Sequence, residues 1–129
     1  MGIHGEMDGY VRSQIDWAGH VSDERLADLY NRAAAFVFPS KMEGFGIPVL
    51  EAQQNFCPLV ASDIPVFREV AGDGAVYFMP DDPAGLGQAV DHAVSDRGSL
   101  IERGTANAAR FSWAHAAARM IEIYRSFLQ

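Results

Sequence analysis

A chain of 129 residues has room for one domain, and 49% hydrophobic residues with 11% aromatics are enough to give that domain a real core. The formal net charge of −7 excludes the basic face on which nucleic-acid binding normally depends. The apolar runs are too short to span a bilayer, no secretory signal pattern opens the chain, and a lone cysteine, Cys57, excludes an internal disulfide and fits a reducing compartment.

Residues 1–14 have glycines at positions 2, 5 and 9 and little periodicity, so this segment is poorly specified, and the domain is expected to occupy 15–129. From Asp16 the pattern alternates between short apolar runs and amphipathic helices. Ser22 is a good N-cap, with Asp23 and Glu24 in the first turn and Leu26, Leu29, Tyr30 and Ala33 at helical spacing. Ala35 to Phe38 is an apolar run ended by Pro39, as expected for a buried parallel strand. Pro48 starts a helix and Leu59-Val60-Ala61 is the next strand, with Cys57 beside Pro58 at its entrance as a small buried hydrophobe. A short helix from about Ile64 to Val70 stops at the turn cluster Ala71-Gly72-Asp73-Gly74, and Ala75 to Phe78 is a third strand.

The remainder is helical. Asp82 and Pro83 cap a helix with Leu86, Val90, Ala93 and Val94 on its apolar face, and a second helix from about Arg97 carries Leu100 and Ile101. Ser112 caps the last helix, where Trp113, Ala117, Met120, Ile121, Tyr124 and Phe127 form a broad apolar stripe. We read that stripe as closing the domain's own core, the alternative being an exposed patch that invites a partner. Strand–helix repetition at this spacing implies an α/β domain, a Rossmann-like parallel sheet flanked by helices.

The chemistry concentrates in Glu43-Gly44-Phe45-Gly46-Ile47-Pro48-Val49-Leu50-Glu51. Glu43 falls in the loop before the helix and Glu51 about one turn into it, so both carboxylates can face one hollow. Gly44 and Gly46 let the backbone approach a ligand, and the helix N-terminus offers free N–H groups and a partial positive charge. Carboxylates accept hydrogen bonds from hydroxyls and exposed amides suit phosphates, a combination that a sugar nucleotide would satisfy. The bland alternative is a loop acid and an acid near a helix N-terminus. No metal site is expected: His4, His20, His92 and His115 are scattered without a second ligand one turn away, and Asp81-Asp82 before Pro83 reads as a helix cap. Neither a nucleophile elbow nor a Gly-x-Gly-x-x-Gly after a strand is present.

Phe38-Pro39-Ser40, the Glu43–Glu51 stretch and Val60-Ala61-Ser62-Asp63 together resemble the C-terminal, donor-binding domain of a retaining GT-B glycosyltransferase of family 4, glycosyl transferases group 1. The resemblance runs from about Trp17 to Tyr124. It implies two Rossmann-like domains facing a cleft, of which this chain is part of the second, with a UDP- or GDP-linked sugar as donor substrate and no metal or other cofactor. It also implies that Glu51 holds the ribose hydroxyls, and that Glu43 is the catalytic residue, its carboxylate touching donor-sugar hydroxyls and aiding the charge at the anomeric carbon. The amides of Phe45, Gly46 and Ile47, with Gly44, would lie near the sugar and diphosphate, and Val21 and Asp23 would border the base.

The whole enzyme would transfer a hexose in glycan or lipid-linked saccharide synthesis, in the cytoplasm or at the inner face of the membrane. The sequence departs from the family where Phe56, in Asn55-Phe56-Cys57-Pro58, replaces a glycine; a bulky residue resists positive φ, so that turn must differ or be strained. The family's basic phosphate-binding pair has no counterpart, and Lys41 reads as a solvated loop residue. In the family the last helix crosses onto the acceptor domain. The chain is therefore expected to be a piece of a larger enzyme, inactive alone, that needs an N-terminal acceptor domain or self-associates through an open sheet edge or the C-terminal helix. The rival reading is a non-catalytic nucleotide-binding module, or a subunit that pairs with a separate acceptor domain.

Overall fold

The structure, a computed structural model, describes residues 9–128. In chain order the elements are α1 (Gly9–Ser13), α2 (Asp23–Arg32), β1 (Phe36–Phe38), α3 (Ile47–Gln54), β2 (Leu59–Ser62), α4 (Pro65–Ala71), β3 (Ala75–Phe78), α5 (Pro83–Ser95), α6 (Arg97–Ala108) and α7 (Trp113–Ser126). Within the segment 1–14, residues 1–8, His4 among them, lie outside the described residues, and Gly9–Ser13 forms a short exposed helix. No helix among the described residues is long and apolar enough to cross a membrane.

The three strands pair in parallel in the order β1-β2-β3, with Phe36 opposite Leu59 and Leu59 opposite Ala75. All four residues of β2 are buried, as a central parallel strand covered on both faces requires. Alternation along the strands sorts the core into two layers. Leu59 and Ala61 pack with Val49, Leu50, Phe67, Val70 and Ala71 of α3 and α4, joined by Phe36 and Phe38. Val60 and Phe78 face Ala89 and Ala93 of α5 and Leu100 of α6, joined by Val37 and Val76. A third cluster sets Tyr30 of α2 against Ala52 and Cys57, which is buried as expected. The architecture is the α/β parallel sheet flanked by helices that the sequence implies.

The predicted caps are present: Ser22 accepts from the Arg25 N–H at 3.2 Å, Asp82 from Gly85 at 3.0 Å and Ser112 from His115 at 3.0 Å. At Phe56 the backbone takes φ 55°, so the turn after α3 keeps the left-handed geometry at a cost of about 1–2 kcal/mol. Tyr77 ties the end of α4 to β3, its hydroxyl 2.7 Å from Gly72 O and 3.1 Å from Phe67 O, and burial pushes its pKa up to about 12. Arg68 forks onto Asp63 at 2.7 and 2.8 Å with its guanidinium 3.9 Å over the Tyr77 ring, and those hydrogen bonds hold the Asp63 carboxyl below the usual range.

Two expectations are corrected. The α7 stripe does not close the core: none of its residues is buried, and Trp113 and Phe127 are 83% and 79% exposed. Both faces of the sheet are already occupied, by α3 and α4 on one side and by α5 and α6 on the other, so the sheet does not need α7 to cover it. On α5 Leu86, Val90 and Ala93 face the core as expected, together with Ala89, while Val94 is turned outward. Lys41 is an exposed loop residue, as expected, and is ion-paired with the exposed Asp81, while Asp82 is the cap.

One buried polar cluster links the layers. Gln53 Nε2 donates to the carbonyls of Ala71 and Gly74, both at 3.1 Å, while Asn107 Nδ2 donates to Gln53 Oε1 and Val70 O, both at 2.8 Å. These two side chains join α3, the end of α4, the approach to β3 and α6. By contrast Ser62 Oγ, fully buried at the end of β2, has no hydrogen-bond partner among the described residues. Gln53→Ala orphans two buried carbonyls and is expected to cost about 2–4 kcal/mol in urea unfolding, whereas Ser62→Ala removes an unsatisfied hydroxyl and should stay within about 1 kcal/mol of the parent or stabilise it. Equal losses from the two substitutions would contradict this account of the cluster.

Candidate functional site

Between β1 and α3 the chain runs as a loop from Pro39 to Gly46, beyond the carboxyl ends of the strands, where parallel sheets bind their ligands. Ser40 Oγ lies 2.8 Å from Glu43 Oε1 and 3.2 Å from Met42 O, which holds the half-buried Glu43 carboxylate within the loop. Gly44 is exposed, as is Phe45, whose ring meets the edge of Phe111 at 6.0 Å.

Gly46 is the N-cap of α3 and has φ 88°, ψ 54°. A Cβ on it would stand 2.7 Å from Cε1 of the buried Phe67 ring, so both the conformation and the space demand glycine. No side chain caps α3, and Pro48 lies in its first turn. That end of the helix therefore presents backbone donors and the positive end of its dipole toward the loop. Ile47 is half-exposed beside it, so this part of the surface mixes amides with apolar contact.

One turn further, Glu51 Oε2 accepts a hydrogen bond from Tyr30 Oη at 3.3 Å. The carboxylate faces a pocket of about 120 Å³ between α2 and α3, lined by Asp23, Leu26, Ala27, Tyr30, Glu51 and Asn55. Burial and the neighbouring Glu51 charge push the Tyr30 phenol well above its ordinary pKa, so it is a hydrogen-bond donor throughout the physiological range. The site thus has two halves, a Ser40–Glu43 loop and a Glu51–Asp23 pocket, with the start of α3 between them. Val21, half-buried before the Ser22 cap, does not line that pocket. No group of three or more metal-ligating side chains occurs among the described residues.

Tyr30, Leu26, Ala27 and Asn55 are pocket residues that sequence reasoning does not find. Tyr30 counts there only as one member of an apolar helical face. The available signal was chemical: a tyrosine in a core-facing stripe needs a partner for its hydroxyl.

The family model of glycosyl transferases group 1 matches residues 10–111. O-antigen chain mannosyltransferase B of Escherichia coli is 35% identical over 124 residues, 94% of this chain and 32% of that protein. A serotype-specific mannosyltransferase of the same species is 42% identical over 81 residues, 63% of this chain and 10% of its own. A solved sucrose-phosphate synthase from Thermosynechococcus elongatus, 24% identical, matches in fold with a TM-score of 0.83 over 92% of this chain and 31% of that one. The chain therefore spans between a tenth and a third of these relatives. With most of its length under the family model, it belongs to glycosyl transferases group 1 and has the fold of a GT-B glycosyltransferase domain.

Proposed function

We propose that this chain is the donor-binding part of a retaining hexosyltransferase that uses a UDP- or GDP-linked sugar. In this reading the ribose hydroxyls of the nucleotide enter the pocket between α2 and α3 and donate to Glu51, with Val21 and Asp23 toward the base. The diphosphate and sugar lie across the start of α3, against the amides of Phe45, Gly46 and Ile47 and the bare backbone at Gly44. Glu43 accepts from sugar hydroxyls and stabilises the positive charge that develops at the anomeric carbon as the leaving diphosphate departs. The observation that carries the reading is the arrangement of two carboxylate-bearing half-sites on either side of an uncapped helix N-terminus: acceptors for hydroxyls flank donors for phosphate.

Two relatives are named O-antigen chain mannosyltransferases, which makes GDP-mannose the first donor to try and a glycan or lipid-linked saccharide the acceptor to expect. Transfer also requires an acceptor held beside the anomeric carbon. We assign that task to a further domain, with the exposed stripe of α7 and the outer edges of the sheet at β1 and β3 as surfaces for it or for a second copy. The chain alone should therefore self-associate at high concentration, seen as a rise in light-scattering mass; a monodisperse monomer would argue against that role for these surfaces.

Calorimetric titration with UDP, GDP, UDP-glucose and GDP-mannose tests the donor site directly. One base should bind, and Glu51→Ala should weaken that binding by about tenfold or more, the worth of a hydrogen-bonded carboxylate. Gly46→Ala, which forces the loop off Phe67, should weaken the diphosphate-containing ligands by about tenfold as well. A chain that binds none of the four would overturn the donor-binding reading, and binding without transfer to any acceptor is the expected behaviour of the domain alone.

A further inference from the structure

The donor reading assigns a role to Glu51 but not to the residue that holds it. We propose that Tyr30 is a positioning residue for Glu51: its hydroxyl fixes one carboxylate oxygen so that the other faces the pocket, ready to accept from a vicinal diol. The inference rests on the donor-binding reading and deepens it.

Geometry carries the argument. Tyr30 is 7% exposed, and its ring meets Phe36 edge-on with centroids 5.2 Å apart, in the cluster formed with Ala52 and Cys57. A ring packed this way has little freedom, so its hydroxyl is a fixed point. A glutamate side chain on a helix surface has three rotatable bonds and loses their freedom when a ligand captures it. Tethering Oε2 to Tyr30 at 3.3 Å removes part of that cost before the ligand arrives. The bond is longer than the usual hydroxyl–carboxylate distance, as is common in a site awaiting its ligand.

The same contact sets what the pocket accepts. Tyr30 is the hydroxyl donor in its lining, and that proton is directed at Glu51. What remains facing the cavity includes the carboxylates of Asp23 and Glu51, which accept hydrogen bonds and repel anions. A neutral diol fits this environment, whereas a phosphate does not. The pocket therefore selects the hydroxyl-bearing ribose end of a nucleotide and leaves the phosphates to the α3 N-terminus.

Tyr30→Phe keeps the ring and removes only the hydroxyl, so it separates positioning from packing. Wild type, Tyr30→Phe, Glu51→Gln and the double variant are titrated calorimetrically with the nucleoside diphosphate that the wild type binds and with its 2′,3′-dideoxy analogue, and each variant is melted in parallel. Tyr30→Phe is expected to weaken the ribonucleotide about five- to tenfold and to leave the dideoxy affinity unchanged. In the Glu51→Gln background the second substitution should add almost nothing, because the two residues act as a unit. Ribonucleotide affinity equal to wild type in Tyr30→Phe, or equal losses for both ligands, would make Tyr30 a packing residue and sink the proposal while the donor reading stands. Absence of nucleotide binding by the wild type would overturn the donor reading and this inference with it.

Discussion

The buried amide of Gln53 is the constraint on which the rest of the domain depends. Helix α3 has only eight residues, too few to be stable alone, so its place is set by packing and by what its buried polar groups bind. Gln53 engages carbonyls at the end of α4 and before β3 and accepts from Asn107 of α6. Its neighbourhood leaves no room for side chains at Gly74, where a Cβ would collide with the Gln53 amide and the Gly104 backbone. Gln53 is two positions from Glu51, so the two side chains leave the helix in different directions. One is clamped in the interior and the other faces the α2 pocket. A rotation or slide of α3 that moved the carboxylate would first have to break the amide cluster.

An aromatic row supports the other side of the same helix. Tyr30 meets Phe36, Phe36 stacks on Phe38 with centroids 5.7 Å apart, and Phe38 lies 5.0 Å from Phe67, whose ring fills the space under Gly46. Phe36 and Phe38 share a face of β1 because side chains alternate along a strand. The row thus runs from the group that holds Glu51 to the residue that starts α3. Both ends of the motif are referenced to one strand, which gives a short helix a defined axis without requiring strong helix propensity.

Much of this was legible locally. The alternation of apolar runs and amphipathic segments gave the parallel sheet with its helices, and Ser22, Asp82 and Ser112 announced the starts of three helices through a short polar side chain in the right place. The conflict at Phe56 was legible only through the family resemblance, which puts a glycine at that position, since a left-handed turn conflicts with a Cβ. What periodicity could not supply was the identity of partners distant in sequence. A stripe such as that of α7 says that a face is apolar, not that a surface exists within the domain for it to cover. Likewise the tyrosine at position 30 reads as one more core residue until the fold brings Glu51, twenty-one positions on, to its hydroxyl. The pairing of Lys41 with Asp81 is hidden for the same reason.

The two acidic half-sites are held by different means, and that difference bears on how such a domain could change its substrate. Glu51 projects from a helix locked on two sides by the amide cluster and the aromatic row, and its carboxylate is tethered by a buried phenol. Glu43 stands in a loop whose neighbours Met42, Gly44 and Phe45 are exposed, and its carboxylate is held by Ser40 within the same loop. Substitutions at the exposed positions Met42 and Gly44 of that loop disturb little of the core, whereas changes around Glu51 disturb the packing of α2, α3 and β1 together. Under the proposed reading the nucleotide end is therefore the rigid half of the site, and the sugar end is the half that can vary without unfolding the domain. Relatives with different sugar specificities could share the pocket between α2 and α3 almost unchanged, with their selectivity written in the residues between Ser40 and Gly46.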